Sequence, residues 1–185
     1  SFLVKAAKTN GIMQRPFILD LHDITLDDLN LVGGKNASLG EMFHNLSTLG
    51  INIPPGFAIT VDAYWEFLKY NNLEASIYRI IGEMDISNLI SLRKGGTQIR
   101  QLIRNGKFPP YLQEEILDRY ARLSQAYGQV STDVAVRSSA TAEDLPDTSF
   151  AGQQETYLNV RGPEGVLEAV RNCFASLFTD RATSY

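Results

Sequence analysis

Val134-Ala135-Val136-Arg137-Ser138-Ser139-Ala140-Thr141-Ala142-Glu143-Asp144, with its continuation to Gln154-Glu155-Thr156-Tyr157-Leu158-Asn159-Val160, is the stretch that decides the fold class. Val134 to Val136 is a short apolar run and reads as a strand. Residues 138–152 carry neither helical nor strand periodicity. Gln154 to Val160 reads as a second strand, with Thr156, Leu158 and Val160 on one face. An amphipathic helix follows, with Val166 or Leu167, Val170, Phe174, Leu177 and Phe178 at helical spacing.

The same mixture continues towards the N-terminus. Phe17 to Leu21 reads as a first strand, and Thr25 is placed to cap a single turn. Leu39, Met42, Phe43 and Leu46 predict a helix after Lys35, with Gly50 as its stop. Pro54-Pro55-Gly56 is a turn, Phe57 to Thr60 a strand, and Thr60 the cap of a helix burying Tyr64, Phe67 and Leu68. Residues 73–127 read as helical. Leu112, Ile116, Tyr120, Leu123 and Tyr127 form one stripe there, and Leu92, Ile99, Leu102 and Ile103 another. Gly95-Gly96 interrupts the second stripe, and Pro109-Pro110 separates the two helices. This order lacks regular βαβ alternation. The expected fold is α/β of the α+β type, with an antiparallel or mixed sheet covered by helices.

The chain has 185 residues, 44% of them hydrophobic and 21% charged, which suits one packed core and excludes global disorder. Its net charge of −4 lacks the basic footprint that non-specific nucleic-acid binding needs. Cys173 is the one cysteine, so no internal disulfide exists, which points to a reducing compartment. No apolar run approaches the length of a membrane span. Residues 1–16 lack an apolar core followed by a small-residue cleavage site, and read as a lead-in segment instead of a signal peptide. No turn or polar tail follows Asp180-Arg181, so a piece of a larger protein is expected.

Two constellations could carry chemistry. Gly33-Gly34-Lys35 opens a helix, where backbone N–H groups, the helix dipole and a lysine suit an anion. The Walker A pattern is not satisfied, and a plain turn with a solvated lysine is the alternative. Arg137 ends what reads as a buried strand, where a guanidinium needs an anionic partner. Its planar fork matches phosphate oxygens, and Ser138, Ser139 and Thr141 add hydroxyls. The alternative is an ion pair from Arg137 to Glu143 or Asp144. A long segment such as 138–152 inside a compact domain is usually functional or disordered, and Gly152 near its end permits close backbone approach. His22 and His44 have no partner at metal-ligand spacing, and no nucleophile–base set is visible.

Together these segments resemble one family. Val32-Gly33-Gly34-Lys35-Asn36-Ala37-Ser38-Leu39-Gly40-Glu41-Met42 is similar to the opening motif of the phosphoenolpyruvate synthases (pyruvate, water dikinases). Ile53-Pro54-Pro55-Gly56-Phe57-Ala58-Ile59-Thr60 is similar to their next segment. Val136 to Pro146, carried through Ser149-Phe150-Ala151-Gly152-Gln153-Gln154-Glu155-Thr156, is the most specific match. Ala175-Ser176-Leu177-Phe178 with Asp180-Arg181-Ala182 and Ser184-Tyr185 extends it.

The resemblance implies that residues 17–185 are the N-terminal portion of an ATP-grasp nucleotide-binding domain. Pyruvate phosphate dikinase, rifampin phosphotransferase and glucan water dikinase share that domain. It implies ATP contacts at Lys35, Arg137, Gly152 and Thr156, with Gly33, Gly34, Ser138 and Ser139 as weaker members. It implies the conversion of ATP, pyruvate and water to AMP, phosphate and phosphoenolpyruvate through a phosphohistidine, with Mg2+ accompanying ATP. The phosphohistidine, the metal carboxylates and the pyruvate site are expected beyond Tyr185, so residues 1–185 alone should not turn over. A cytoplasmic enzyme, with no nucleic acid or membrane among its partners, and a homodimer formed through missing domains complete the expectation. The rivals are a related dikinase with another acceptor, such as a rifampin phosphotransferase, and a stand-alone nucleotide-binding or interaction module.

Overall fold

The computed structural model describes residues 16–47, 49–50, 54–85, 87–139 and 155–178. Two antiparallel hairpins frame a body of helices. Strand β1 (Ile18–Asp20) pairs with β2 (Phe57–Ile59), Ile18 lying opposite Ile59 and Asp20 opposite Phe57. Between them run two single 3-10 turns, Leu21–Asp23 and Leu26–Asp28, then α1 (Leu29–Val32) and α2 (Gly34–Ser47). Helices α3 (Val61–Tyr70), α4 (Leu73–Glu83), α5 (Leu89–Asn105) and α6 (Pro110–Ala126) follow. Strand β3 (Val134–Arg137) pairs with β4 (Thr156–Val160), and α7 (Pro163–Ser176) packs against both strands. The chain is thus mixed α/β and mostly helical. Among the described residues the strands form two separate two-stranded sheets, not one. No helix among those residues is long and apolar enough to cross a membrane.

Local chemistry sets the boundaries. Thr25 and Asp28 form a reciprocal capping box: the Asp27 N–H donates to the threonine hydroxyl at 3.3 Å, and the Thr25 N–H donates to the Asp28 carboxylate at 3.0 Å. The Thr60 hydroxyl accepts from the Ala63 N–H at 3.4 Å and donates to the Pro16 carbonyl at 2.8 Å, so one side chain caps α3 and secures the segment leading into β1. Such a cap stabilises by about 1 kcal/mol. Asn88 caps α5, and Pro110 occupies the first turn of α6, where its missing N–H costs nothing.

The main core draws on α3 to α7. Phe67, Ile99, Ile103, Leu112 and Ile116 are fully buried there, with Val166, Val170 and Phe174 from α7. Phe67 sits 5.2 Å from Phe108 and 5.5 Å from Phe174, ring centre to ring centre. A smaller core of Ile24, Val32, Ala37 and Ala58 underlies the first hairpin. There Gly40 has no room for a side chain, because a Cβ would fall 2.3 Å from the Ile24 carbonyl oxygen. This contact presses α2 onto the turn before it. Arg119 of α6 pairs with Asp20 at the end of β1, locking the hairpin to the helical body.

Three expectations are corrected. Gly95-Gly96 does not interrupt α5, which runs through both. Both glycines are buried, and the Met84 side chain fills the notch at Gly95, where a Cβ would lie 2.1 Å from its Cε. On α6, Leu112, Ile116 and Tyr120 are buried as predicted, but the stripe continues through Ser124 while Tyr127 is exposed. On β4, Thr156, Leu158 and Val160 do not share a buried face: Tyr157 and Val160 are half-buried, while Thr156 and Leu158 are exposed. The cause is a break in the ladder. Val134 lies opposite Val160 but Val136 lies opposite Tyr157, so β4 contains one residue more than β3 over this span. Asn159, at φ 54°, supplies the bulge.

Candidate functional site

A cavity of about 720 Å3 takes its walls from both hairpins, the first turn of α2 and the inner face of α7. Its lining is mostly apolar, including Ala58, Val136, Val170 and Phe174. Polar groups enter from Asn36 on α2 and from Arg137, Ser138 and Ser139 at the end of β3. Arg137, Ser138 and Ser139 thus share one concavity with Val32 and Asn36, the residues flanking Gly33-Gly34-Lys35, although about a hundred positions separate the two segments in the chain.

The α2 side is built by backbone geometry. Gly33, at φ 79° and ψ 161°, closes α1 and turns the chain directly into α2. Its N–H donates to the Leu29 carbonyl at 2.9 Å. Gly34 is then the first residue of α2 and Lys35 the second, so the amides of the opening turn and a lysine lie at a helix N-terminus. The Lys35 side chain lies outside the described atoms. Val32 and Asn36, flanking this turn, are both on the cavity wall.

The β3–β4 side is built by register. Arg137 lies directly opposite Thr156, and directly opposed residues of an antiparallel pair point to the same face. Without the bulge at Asn159, Tyr157 would occupy the place of Thr156. Beyond the last pair, the Ser138 N–H donates to the Glu155 carbonyl at 3.2 Å, which extends the ladder by one bond. Ser138 is buried, and the Ser139 hydroxyl is buried with no hydrogen-bond partner among the described residues. The premise that Arg137 ends a buried strand is corrected. The strand is half-buried and Arg137 is exposed, so no buried counter-charge is required. Gly152 lies outside the described residues, as do Glu143, Asp144 and most of the 138–152 segment.

Other groups on the walls were not legible in sequence as site members. Burial raises the Tyr64 phenol far above its usual range, and its hydroxyl has no partner among the described residues. Cys173 is buried against the cavity, and desolvation, with a smaller contribution from Glu155, pushes its thiol up to about 12. Its sign is that of a group kept neutral by folding. The stabilising contribution is complete below about pH 8.5, the ordinary cysteine value, and is lost as pH rises towards 12. At pH 8 Cys173 is accordingly expected to react at least tenfold more slowly with an aromatic disulfide reagent in the folded chain than in urea. Equal rates in the two states would show that the thiol is not shielded.

Asp20, His22 and Asp23 also converge, each placing one ligand atom within 4.8 Å of the others. Sequence spacing gave no hint of this trio, because the strand end and the 3-10 turn bend it together. His22 Nε2 lies 3.2 Å from the Asp23 carboxylate, both exposed, while Asp20 is held by Arg119.

The chain is similar to known proteins of one family. The family model described as pyruvate phosphate dikinase, AMP/ATP-binding domain, matches residues 29–185. A phosphoenolpyruvate synthase of Aquifex aeolicus is 56% identical over 92% of this chain and 20% of its own length. Those of Escherichia coli and Helicobacter pylori are 50% and 48% identical over 92% and 91% of this chain, each covered over 21% of its length. The chain thus spans about a fifth of the length of these curated relatives.

Proposed function

Since the chain belongs to the pyruvate phosphate dikinase AMP/ATP-binding domain family, we propose that it is the N-terminal ATP-binding portion of a phosphoenolpyruvate synthase. In this reading residues 17–185 are the first part of an ATP-grasp domain and residues 1–16 a lead-in. The observation that carries it is the facing pair Arg137 and Thr156 at the end of β3, beside a cavity shared with the N-terminus of α2.

The division of labour follows from the chemistry of each group. Gly33, its own N–H held by the Leu29 carbonyl, turns the chain so that the Gly34 N–H and the opening turn of α2 supply a fixed donor and the positive end of a helix dipole. Lys35 adds a mobile point charge, and Arg137 a planar fork that takes two phosphate oxygens at once. The Thr156 hydroxyl, on the same face as Arg137, adds a neutral donor. Ser138 and Ser139 line the wall between them and the apolar interior, which suits the flat face of a purine. Gly152 would bring backbone close to the nucleotide. Phosphoryl transfer asks for positioning and charge neutralisation more than for covalent participation by the protein, and these groups supply both.

The donor set bears on Mg2+. Among the described residues, Asp133 is the one carboxylate on the cavity wall, and Arg161 lies 3.8 Å from it. Mg2+ prefers a carboxylate or two plus phosphate oxygens and water. The described wall does not offer that set, so the metal would enter on ATP and take its protein ligands from beyond these residues.

The proposed reaction of the whole enzyme converts ATP, pyruvate and water to AMP, phosphate and phosphoenolpyruvate through a phosphohistidine supplied by another region. A cytoplasmic homodimer, assembled through regions outside these residues, belongs to the same proposal. Residues 1–185 alone are expected to bind ATP by calorimetry yet release no AMP when pyruvate and Mg2+ are added. The full-length polypeptide is expected to form phosphoenolpyruvate and AMP in equal amounts. A full-length polypeptide that left pyruvate untouched while phosphorylating an antibiotic hydroxyl would replace this reading with the related phosphotransferase. Steady AMP release by residues 1–185 would overturn the proposed split between ATP binding and turnover.

A further inference from the structure

We propose that Tyr120 is a positioning residue for the phosphate-binding pair, holding the open end of the β3–β4 hairpin so that Arg137 and Thr156 stay in register. The inference rests on the reading of that pair as nucleotide ligands.

Tyr120 lies in the middle of α6 and is 3% exposed. Its hydroxyl donates to the Thr132 carbonyl at 2.8 Å and accepts from the Gly162 N–H at 2.9 Å. Thr132 stands two residues before β3, and Gly162 stands two residues after β4. A single phenol oxygen therefore ties together the two chain segments that enter and leave the hairpin. One helical turn on, the buried Ser124 hydroxyl accepts from the Thr132 N–H at 3.1 Å. Helix α6 thus satisfies both backbone groups of Thr132 and the amide that opens α7.

The need for such a clamp lies in the ladder. Among the described residues, Val136 with Tyr157 and Arg137 with Thr156 are the pairs beyond the bulge, with the single Ser138–Glu155 bond after them. Two pairs specify register weakly, and a slip of one residue turns every side chain to the other face. The bulged region cannot supply the missing constraint, because a bulge disrupts pairing where it sits. Arg161 also reaches back, its Nε donating to the Ser131 carbonyl at 3.1 Å, but that contact is exposed. Tyr120 acts instead from a buried, rigid helix through a ring with few rotamers. Packing alone would ask only for the ring. A phenylalanine fills the same space, so the hydroxyl is what the hairpin uses.

The test is Tyr120→Phe in the full-length polypeptide, beside Arg137→Ala. Affinities for ATP and for adenosine are measured by competition with a fluorescent ATP analogue, together with the melting temperature. ATP should bind about tenfold more weakly to Tyr120→Phe, while adenosine changes less than about twofold. Ser124→Ala carries the same readout should Tyr120→Phe fail to fold, and a smaller loss confined to ATP is expected there. Loss of ATP affinity in Arg137→Ala with none in Tyr120→Phe would overturn the positioning role and leave the nucleotide reading standing. Equal losses for ATP and adenosine, or failure of both variants to fold, would reduce Tyr120 to a general packing residue and overturn the role. Unchanged ATP affinity in Arg137→Ala would overturn the nucleotide reading, and this inference with it.

Discussion

Replacing Arg137 with alanine is expected to weaken ATP binding about ten- to hundredfold, with the melting temperature changed by no more than a few degrees. The magnitude comes from hydrogen bonds to a charged partner, worth about 1.5–3 kcal/mol, at about 1.4 kcal/mol per factor of ten. The small stability cost comes from exposure. Arg137 ends β3, faces Thr156 and supports no buried packing. Arg137→Lys separates charge from shape. It keeps the charge and loses the fork, so it should recover part of the affinity and not all of it. Titration calorimetry with ATP decides this. Affinity unchanged within a factor of two in Arg137→Ala would remove the guanidinium from the phosphate site.

Phe67→Ala should cost the fold about 3–5 kcal/mol, a large part of the total stability of a typical domain. Phe67 is fully buried, its ring meets Phe108 and Phe174, and its edge fills the space above Gly106. The truncated side chain would leave a void walled by α3, α7 and the segment before α6, elements too firmly packed to collapse into it. For a chain of this size the loss corresponds to a fall in melting temperature of about 6–20 °C. Phe67→Leu should fall by much less, because it retains most of the volume. A shift below 3 °C in the alanine variant would mean that α7 is not part of the same cooperative core.

The helices were legible because their signals are local and repeated. Thr25 and Thr60 cap as their spacing predicts, and Phe67, Leu112, Ile116 and Val170 are buried where helical periodicity places them. Gly95 misled because its meaning is tertiary: the Met84 side chain from the preceding helix end packs into the space a Cβ would take. The site was legible in part. Arg137, Ser138 and Ser139 stand out by type and spacing and line one concavity, whereas Gly33 and Gly34 stand at the start of α2 next to its wall residues Val32 and Asn36. What could not be read was the ladder. Alternation alone places Thr156 with Val160 on one face, and no sequence pattern announces that Asn159 adopts a left-handed conformation and breaks that alternation. Ser124 was invisible for a similar reason, since a serine within an apolar stripe looks like an interruption until Thr132 supplies its partner.

The bulge at Asn159 also bears on how such a chain can change over generations. A substitution on β4 alters one side chain, whereas a one-residue insertion between Thr156 and Val160 changes which residue faces Arg137. Gaining one position there, with the single bulge kept, would exchange a small hydroxyl for the ring of Tyr157 without touching any residue of the site itself, whereas losing one would match the strands and leave Thr156 opposite Arg137. This strand is therefore expected to tolerate replacement, and loss of its surplus residue, and to resist lengthening. A library of single-codon insertions and deletions between residues 157 and 159 would expose that asymmetry directly.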